Sequence, residues 1–138
     1  GQEAELRDQA NRMLPGRATF TGFLGGRQKV AALADSDLVV MPSRYEIFGM
    51  TALDALACRT PVLLSSSCGV ASILEGKAGL NVFHTEDPAD LSEQLRTVLG
   101  RSEDAFGLAA TRDYVIDRFA PASIAAMAES SYEKAIRS

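Results

Sequence analysis

Strand patterns alternate with helical patterns along most of this chain. Continuous apolar runs at residues 38–41, 61–64 and 80–83 predict strands buried on both faces, which is typical of a parallel sheet. A fourth strand is predicted at residues 17–23, where apolar residues alternate with threonines. The spacing of apolar residues predicts helices over residues 3–14, 27–35, 49–58, 70–74 and 89–99, and two more within residues 102–137, separated near Pro121.

This order of elements predicts a Rossmann-like α/β domain, a doubly wound parallel sheet with C-terminal helices packed on it. No linker divides the chain, so residues 1–138 are expected to form a single domain. Four strands are few for this class, in which sheets commonly have about 5–6 strands. We therefore expect the domain to be truncated at its N-terminus, with the missing strands supplied by a preceding segment or another chain. An exposed sheet edge would also allow self-association.

Composition excludes several classes of function. Of the 138 residues, 46% are hydrophobic and 23% are charged, as expected of a globular domain with a core. The net charge of −4 gives no overall attraction to nucleic acid, so no nucleic-acid partner is predicted. One histidine and two cysteines without a CxxC spacing argue against a zinc site, so no metal is expected. Cys58 and Cys68 are expected to be free thiols in a reducing compartment.

The candidate chemistry lies where the strand at residues 38–41 runs into the next helix. Ligands of open α/β sheets bind outside the carboxyl ends of the strands. The backbone N–H groups at the start of this helix have no intrahelical acceptor, and with the helix dipole they predict an anion site suited to a diphosphate. These N–H groups belong to Phe48, Gly49, Met50 and Thr51. The loops at residues 23–26 and 65–70 are expected to reach the same edge.

Two acids flank this anion site. Glu46 precedes the helix and could accept hydrogen bonds from sugar hydroxyls, while Asp54 lies about one turn inside it and could accept from the vicinal hydroxyls of a ribose. Together with the N–H groups, these acids predict a site for a sugar carried on a diphosphate. Each signal alone also fits a plainer interpretation, in which Gly49 and Thr51 only start a helix and both acids are solvated surface residues.

Four short segments follow one another in an order that points to a family. They are Pro42-Ser43, Glu46-Ile47-Phe48-Gly49, Asp54-Ala55-Leu56-Ala57 and Thr60-Pro61-Val62. Together they resemble the signature of the donor-binding C-terminal domain of retaining glycosyltransferases with the GT-B fold, family 4 type. That signature contains two acids separated by seven residues, which are Glu46 and Asp54 here. The similarity continues in Phe20-Thr21-Gly22 and in Gly76-Lys77-Ala78-Gly79-Leu80, and it covers nearly the whole chain.

The resemblance implies a role for each residue at this corner. Glu46 would be the catalytic-site acid that contacts the donor sugar, and Asp54 would hold the ribose hydroxyls. The donor-binding backbone amides would be those of Phe48, Gly49, Met50 and Thr51. The loop with Phe23 and Leu24 would lie near the nucleobase. Members of this family usually need no metal or other cofactor, so none is expected here.

The resemblance also implies what the longer protein does. It would transfer a sugar from a nucleotide-sugar donor, such as a UDP- or GDP-sugar, to an acceptor with retention of configuration. An N-terminal acceptor domain and an Arg/Lys pair that clamps the diphosphate would both lie upstream of residue 1, so the isolated chain is expected to bind donor poorly and to be inactive. The expected location is cytoplasmic, peripheral to the inner face of the membrane.

Three positions depart from the family signature. Asp54 replaces the usual glutamate and is one methylene shorter, and Ser72 stands where a glutamate is common. Arg59 replaces the glycine that usually follows the helix, which would cost about 1–2 kcal/mol if the position requires a left-handed conformation. These departures leave open an alternative, a non-catalytic binding or assembly module with a degenerated site. A dehydrogenase or a receiver domain is disfavoured, because the chain lacks a GxGxxG after a first strand and an acidic cluster.

Overall fold

The structure is a computed structural model that describes residues 2–101 and 107–137. Within these residues, three short strands are embedded among seven helices. In chain order the elements are α1 (Glu3–Met13), α2 (Gly26–Ala34), β1 (Val39–Met41), α3 (Met50–Ala57), β2 (Val62–Ser65), α4 (Gly69–Ile73), β3 (Leu80–Phe83), α5 (Pro88–Leu99), α6 (Leu108–Phe119) and α7 (Pro121–Arg137). None of the described helices is long and apolar enough to cross a membrane.

The three strands form one parallel sheet with the order β1-β2-β3. Val39 of β1 lies opposite Val62 of β2, which in turn lies opposite Leu80 of β3. Helices α3 and α4 connect consecutive strands, as parallel pairing requires. The parallel α/β class predicted from the apolar runs is confirmed.

Helices cover both faces of this sheet. Val62 and Leu64 of β2 belong to a buried cluster with residues of α3, α4 and α6. Leu63, at the alternate position of the same strand, is fully buried but lies outside that cluster, because successive side chains of a strand point to opposite faces. Helix α5 packs against β3 and contributes the buried Val98. The doubly wound arrangement therefore follows from burial on both sides of β2.

The strand predicted at residues 17–23 does not form, and that prediction is wrong. Residues 18–25 have no regular secondary structure, and the chain turns at Gly22, whose φ is 66°. Phe20 is held instead by α1, since the Arg7 guanidinium lies 4.6 Å from the centre of its ring. The alternation of apolar residues with threonines satisfied the strand pattern, but a strand also needs a neighbour for its backbone groups, and none pairs with this segment among the described residues.

A residue just after α3 adopts the left-handed conformation for which glycine is usual at this position. Arg59 has a φ of 64°, in the left-handed region where a non-glycine residue costs about 1–2 kcal/mol. The turn is nevertheless well bonded, because the N–H of Thr60 donates to the carbonyl of Ala55 at 2.9 Å. The buried hydroxyl of Thr60 then donates to the carbonyl of Leu33 at 2.7 Å, which ties the end of α3 to the end of α2.

Candidate functional site

The N-terminus of α3 presents unpaired backbone donors at the carboxyl end of β1. Gly49 caps the helix in a left-handed conformation with φ 98°, and the N–H of Ala52 donates back to its carbonyl at 3.0 Å. Within residues 2–101 and 107–137, the N–H groups of Gly49, Met50 and Thr51 have no hydrogen-bond acceptor. Together with the helix dipole, these three N–H groups form a positive end that suits an anion.

Phe48 plays a different part from the three residues that follow it. Its N–H donates to Oε1 of Glu46 at 3.2 Å, so this amide is already engaged. Its ring packs edge-on against Phe119 of α6, with 5.8 Å between ring centres. Phe48 therefore anchors the loop between β1 and α3 to the C-terminal helices. The other carboxylate oxygen of the half-buried Glu46 has no hydrogen-bond partner in the described part of the chain and can accept from a ligand.

The loop that carries Glu46 is bonded to the start of α4. The N–H of Gly69 donates to the carbonyl of Glu46 at 3.0 Å, and the N–H of Val70 donates to the carbonyl of Phe48 at 2.8 Å. A parallel bridge between Glu46 and Cys68 continues this pairing. The loop before α3 thus behaves as a short strand alongside residues 68–70, and the carbonyl groups of Glu46 and Phe48 are satisfied within the protein.

Two glycines make this close approach sterically feasible. A Cβ on Gly69 would lie 2.0 Å from the carbonyl oxygen of Ile47, and a Cβ on Gly49 would lie 2.6 Å from Sγ of Cys68. On one side of Gly49, the side chains of Cys68 and Val70 fill the space that a side chain would need. The role of Gly69 was missed, because its contact is with a residue 22 positions away.

Cys68 is buried against Gly49. It is 3% exposed, and its thiol donates to the carbonyl of Phe48 at 3.5 Å. Burial raises the pKa of the Cys68 thiol, and the nearby carboxylate of Glu46 raises it further. The thiol therefore stays protonated near neutral pH and acts as a packing group. Cys58 is half-buried, and both cysteines are free.

Asp54 is paired with a lysine that the sequence did not assign to the site. Its Oδ2 lies 2.6 Å from Nζ of Lys29 on α2, and the two side chains are 43% and 34% exposed. This ion pair links α2 to α3 one turn below the N–H groups of Gly49 to Thr51. The two residues are 25 positions apart, so only the packing of α2 against α3 brings them together.

The loop before α2 does not leave the end of a strand, because the strand predicted at residues 17–23 does not form. The ring of Phe23 is 95% exposed, and Leu24 is half-buried. This loop runs directly into α2, and the ion pair between Lys29 and Asp54 joins that helix to α3. The role of Phe23 and Leu24 at a nucleobase stays a prediction.

Hydroxyl groups hold the loops at the carboxyl edge of the sheet. The Ser67 hydroxyl donates to the carbonyl of Ser43 at 3.0 Å, and the N–H of Ser67 donates to the hydroxyl of Thr85 at 3.1 Å. The hydroxyls of Ser66 and Thr85 lie 3.1 Å apart. The loops that follow β1, β2 and β3 are thereby joined, and the predicted convergence of the loops at residues 42–49 and 65–70 is confirmed.

Comparison with known proteins finds similarity to glycosyltransferases. The family described as glycosyl transferases group 1 matches residues 1–101. The chain is 33% identical over 103 residues to the GDP-mannose-dependent alpha-(1-6)-phosphatidylinositol dimannoside mannosyltransferase of Mycobacterium tuberculosis. The matched segment covers 73% of this chain and 26% of that protein. The chain is 37% identical over 100 residues to the glycogen synthase of the same species, covering 71% of this chain and 24% of that protein.

A solved structure supports the fold. Sucrose-phosphate synthase from Thermosynechococcus elongatus superposes with a TM-score of 0.78 at 24% identity, covering 99% of this chain and 35% of that protein. At that identity the similarity shows a shared fold, that of a GT-B glycosyltransferase. The chain spans about a quarter of the length of the curated relatives that it matches.

Proposed function

Because this chain belongs to the group 1 glycosyl transferases, we propose that it supplies the donor-binding corner of a longer enzyme that transfers a sugar from a nucleotide sugar. One observation carries the proposal. Three unpaired N–H groups, those of Gly49, Met50 and Thr51, lie at the carboxyl end of a parallel strand, and Glu46 and Asp54 flank them in the sequence. A ligand that binds the N–H groups must carry an anion, and one that binds the carboxylates must carry hydroxyl groups. A sugar on a nucleoside diphosphate carries an anion and several hydroxyl groups.

The N–H groups would act on the leaving diphosphate. Sugar transfer breaks the bond between the anomeric carbon and a diphosphate oxygen, and negative charge grows on that oxygen as the bond breaks. Donors that are already aimed at the developing charge lower the barrier without reorganising. The fixed amides at the start of α3 have this property, since the bonds between residues 46–48 and 68–70 hold the loop in place.

The two acids would position the rest of the donor. Glu46 has one carboxylate oxygen occupied by the N–H of Phe48 and the other available to a sugar hydroxyl. Asp54 has Oδ2 occupied by Lys29 and its other oxygen available to a ribose hydroxyl. Under this proposal Phe23 and Leu24 lie on the nucleobase side, and the sugar is transferred with retention of configuration, without a metal.

The remaining parts of the proposal concern the longer protein. An acceptor domain and a basic clamp for the diphosphate would lie outside this chain, which spans only about a quarter of its relatives. The name of the mannosyltransferase relative specifies a phosphatidylinositol dimannoside, which supports a lipid-linked acceptor. We accordingly propose a cytoplasmic enzyme that works at the inner face of the membrane.

A second candidate function is a non-catalytic binding or assembly module. Two observations favour it. Asp54, already shorter than the usual glutamate, has an ion-pair partner within the protein, and Arg59 occupies a left-handed position that suits glycine. A module of this kind would keep the fold and lose the affinity for nucleotides.

Nucleotide binding distinguishes the two functions. We expect the longer protein that contains this chain to bind one of GDP, UDP and ADP in calorimetric titrations, and to bind the corresponding monophosphate at least roughly tenfold more weakly, because charge-assisted hydrogen bonds to the second phosphate are lost. Transfer of a radiolabelled sugar from the matching nucleotide sugar to membrane lipids would then show activity. A folded protein that binds none of the three diphosphates would contradict the proposal and favour the non-catalytic module.

A further inference from the structure

Lys29 and Asp54 place a hydrogen-bond donor beside a hydrogen-bond acceptor at the surface of the site. Nζ of Lys29 lies 2.6 Å from Oδ2 of Asp54. An ammonium group has three N–H donors, and this contact uses one of them. Oδ1 of Asp54 has no hydrogen-bond partner within the described residues. Both side chains are more than a third exposed, so a ligand can reach the pair from solvent.

A hydroxyl group matches such a pair in both directions. It can donate its proton to the free carboxylate oxygen and accept a hydrogen bond from the ammonium through a lone pair. A methylene group at the same place satisfies neither partner. Sites built to hydrogen-bond a hydroxyl reject analogues that lack it, because the protein groups are then left without partners.

We propose that Lys29 is a specificity-determining residue for the ribose of the nucleotide, acting with Asp54 as one recognition unit. This inference rests on the proposed function, since it names a further residue of the same site. Lys29 adds a contact where the aspartate is one methylene shorter than the glutamate common in the family. Its position on α2 also couples the loop of Phe23 and Leu24 to the ribose.

A purely structural role for the ion pair predicts a different behaviour. Partly exposed ion pairs contribute little to stability, so replacing Lys29 should leave the protein folded. If the pair only joined α2 to α3, its loss would affect all nucleotides equally. Recognition of a ribose hydroxyl predicts instead that the loss depends on whether the ligand carries that hydroxyl.

The test compares nucleotides with and without ribose hydroxyls. In the longer protein, Lys29→Met removes the charge while keeping an unbranched side chain, and Arg27→Met is the matched control, because Arg27 is an exposed cation on the same helix. Calorimetry would use whichever of GDP, UDP and ADP binds, together with its 2′-deoxy and 3′-deoxy forms. Lys29→Met should weaken binding of the ribonucleotide roughly tenfold and leave the affinity for at least one deoxy form nearly unchanged, as expected for one charge-assisted hydrogen bond. Arg27→Met should leave the affinities for the ribonucleotide and for its deoxy forms unchanged.

Two results would overturn the inference. One is an equal loss of affinity for the ribonucleotide and both deoxy forms in Lys29→Met, and the other is an unchanged preference for ribose. A double-mutant cycle with Asp54→Asn provides a second criterion, since residues that read one hydroxyl together should show non-additive losses, whereas additive losses would contradict the proposal. If the wild-type protein binds none of the nucleotides, the proposed function itself fails. If it binds and prefers ribose but Lys29→Met keeps that preference, only the role of Lys29 fails.

Discussion

Replacing Glu46 by glutamine is expected to reduce sugar transfer by about 10²–10³-fold, the loss typical when one electrostatic partner of the transition state is removed. Positive charge grows on the sugar ring as the diphosphate departs, as in glycoside cleavage. The carboxylate of Glu46, in contact with the donor sugar, would stabilise that positive charge, and the neutral amide of glutamine would do so much less. The side-chain oxygen of glutamine can still accept from the N–H of Phe48, so the loop before α3 should keep its conformation.

Kinetics with the nucleotide sugar would measure this effect. The loss should fall mainly on kcat, while the affinity for the nucleoside diphosphate alone should stay near that of the wild type, because this ligand lacks the sugar. Glu86→Gln is the matched control, since Glu86 is an exposed acid at the same edge of the sheet, 3.0 Å from Arg44. Wild-type transfer by Glu46→Gln, or an equal loss in Glu86→Gln, would show that Glu46 does not act on the donor.

Replacing Gly69 by alanine is expected to disrupt the corner itself. The new Cβ would meet the carbonyl oxygen of Ile47 at 2.0 Å, and backbone atoms cannot rotate away as a flexible side chain can. Either the loop before α3 or the start of α4 must move, which breaks the bonds from Gly69 to Glu46 and from Val70 to Phe48. We expect a loss of about 1–3 kcal/mol in the free energy of unfolding, as for other overpacked sites, and a loss of nucleotide binding.

Thermal unfolding and nucleotide titration of the same sample would check this prediction. Gly76→Ala is a control for lost stability alone, because Gly76 has a left-handed backbone, with φ 74°, while a Cβ there meets no atom within 4 Å. The control should lose about 1–2 kcal/mol from backbone strain and keep its affinity for the nucleotide. If Gly69→Ala kept both the melting temperature and the affinity of the wild type, the contact between residues 46–48 and 68–70 would not support the site.

The local pattern of apolar residues predicted the three strands of the sheet and most of the helices. Strand β2 is buried on both faces, so a run of consecutive apolar residues is enough to predict it. At residues 17–23 the local pattern predicted a strand that does not form. The alternation there suited a strand, but Gly22 turns the chain and the Arg7 side chain engages Phe20, and both effects depend on the fold around the segment.

Some residues of the candidate site could be predicted from the local sequence, and others could not. Glu46, Gly49 and Asp54 lie within nine consecutive residues, and a strand followed by a helix is enough to place them around one corner. Lys29 and Gly69 act through contacts with residues far away in the sequence. Neither residue is unusual in its local sequence, so only the packing of α2 on α3 and of α4 on the preceding loop reveals what they contact.

The amides at the start of α3 can be observed directly while a nucleotide binds. In the longer protein labelled with ¹⁵N in glycine, methionine and threonine, the N–H resonances of Gly49, Met50 and Thr51 should shift with saturation on titration with the nucleoside diphosphate that binds. The corresponding nucleoside, which lacks phosphate, should leave them nearly unchanged. Saturable binding of the diphosphate that leaves these three resonances in place would contradict the proposal that the N-terminus of α3 holds the diphosphate of a nucleotide sugar.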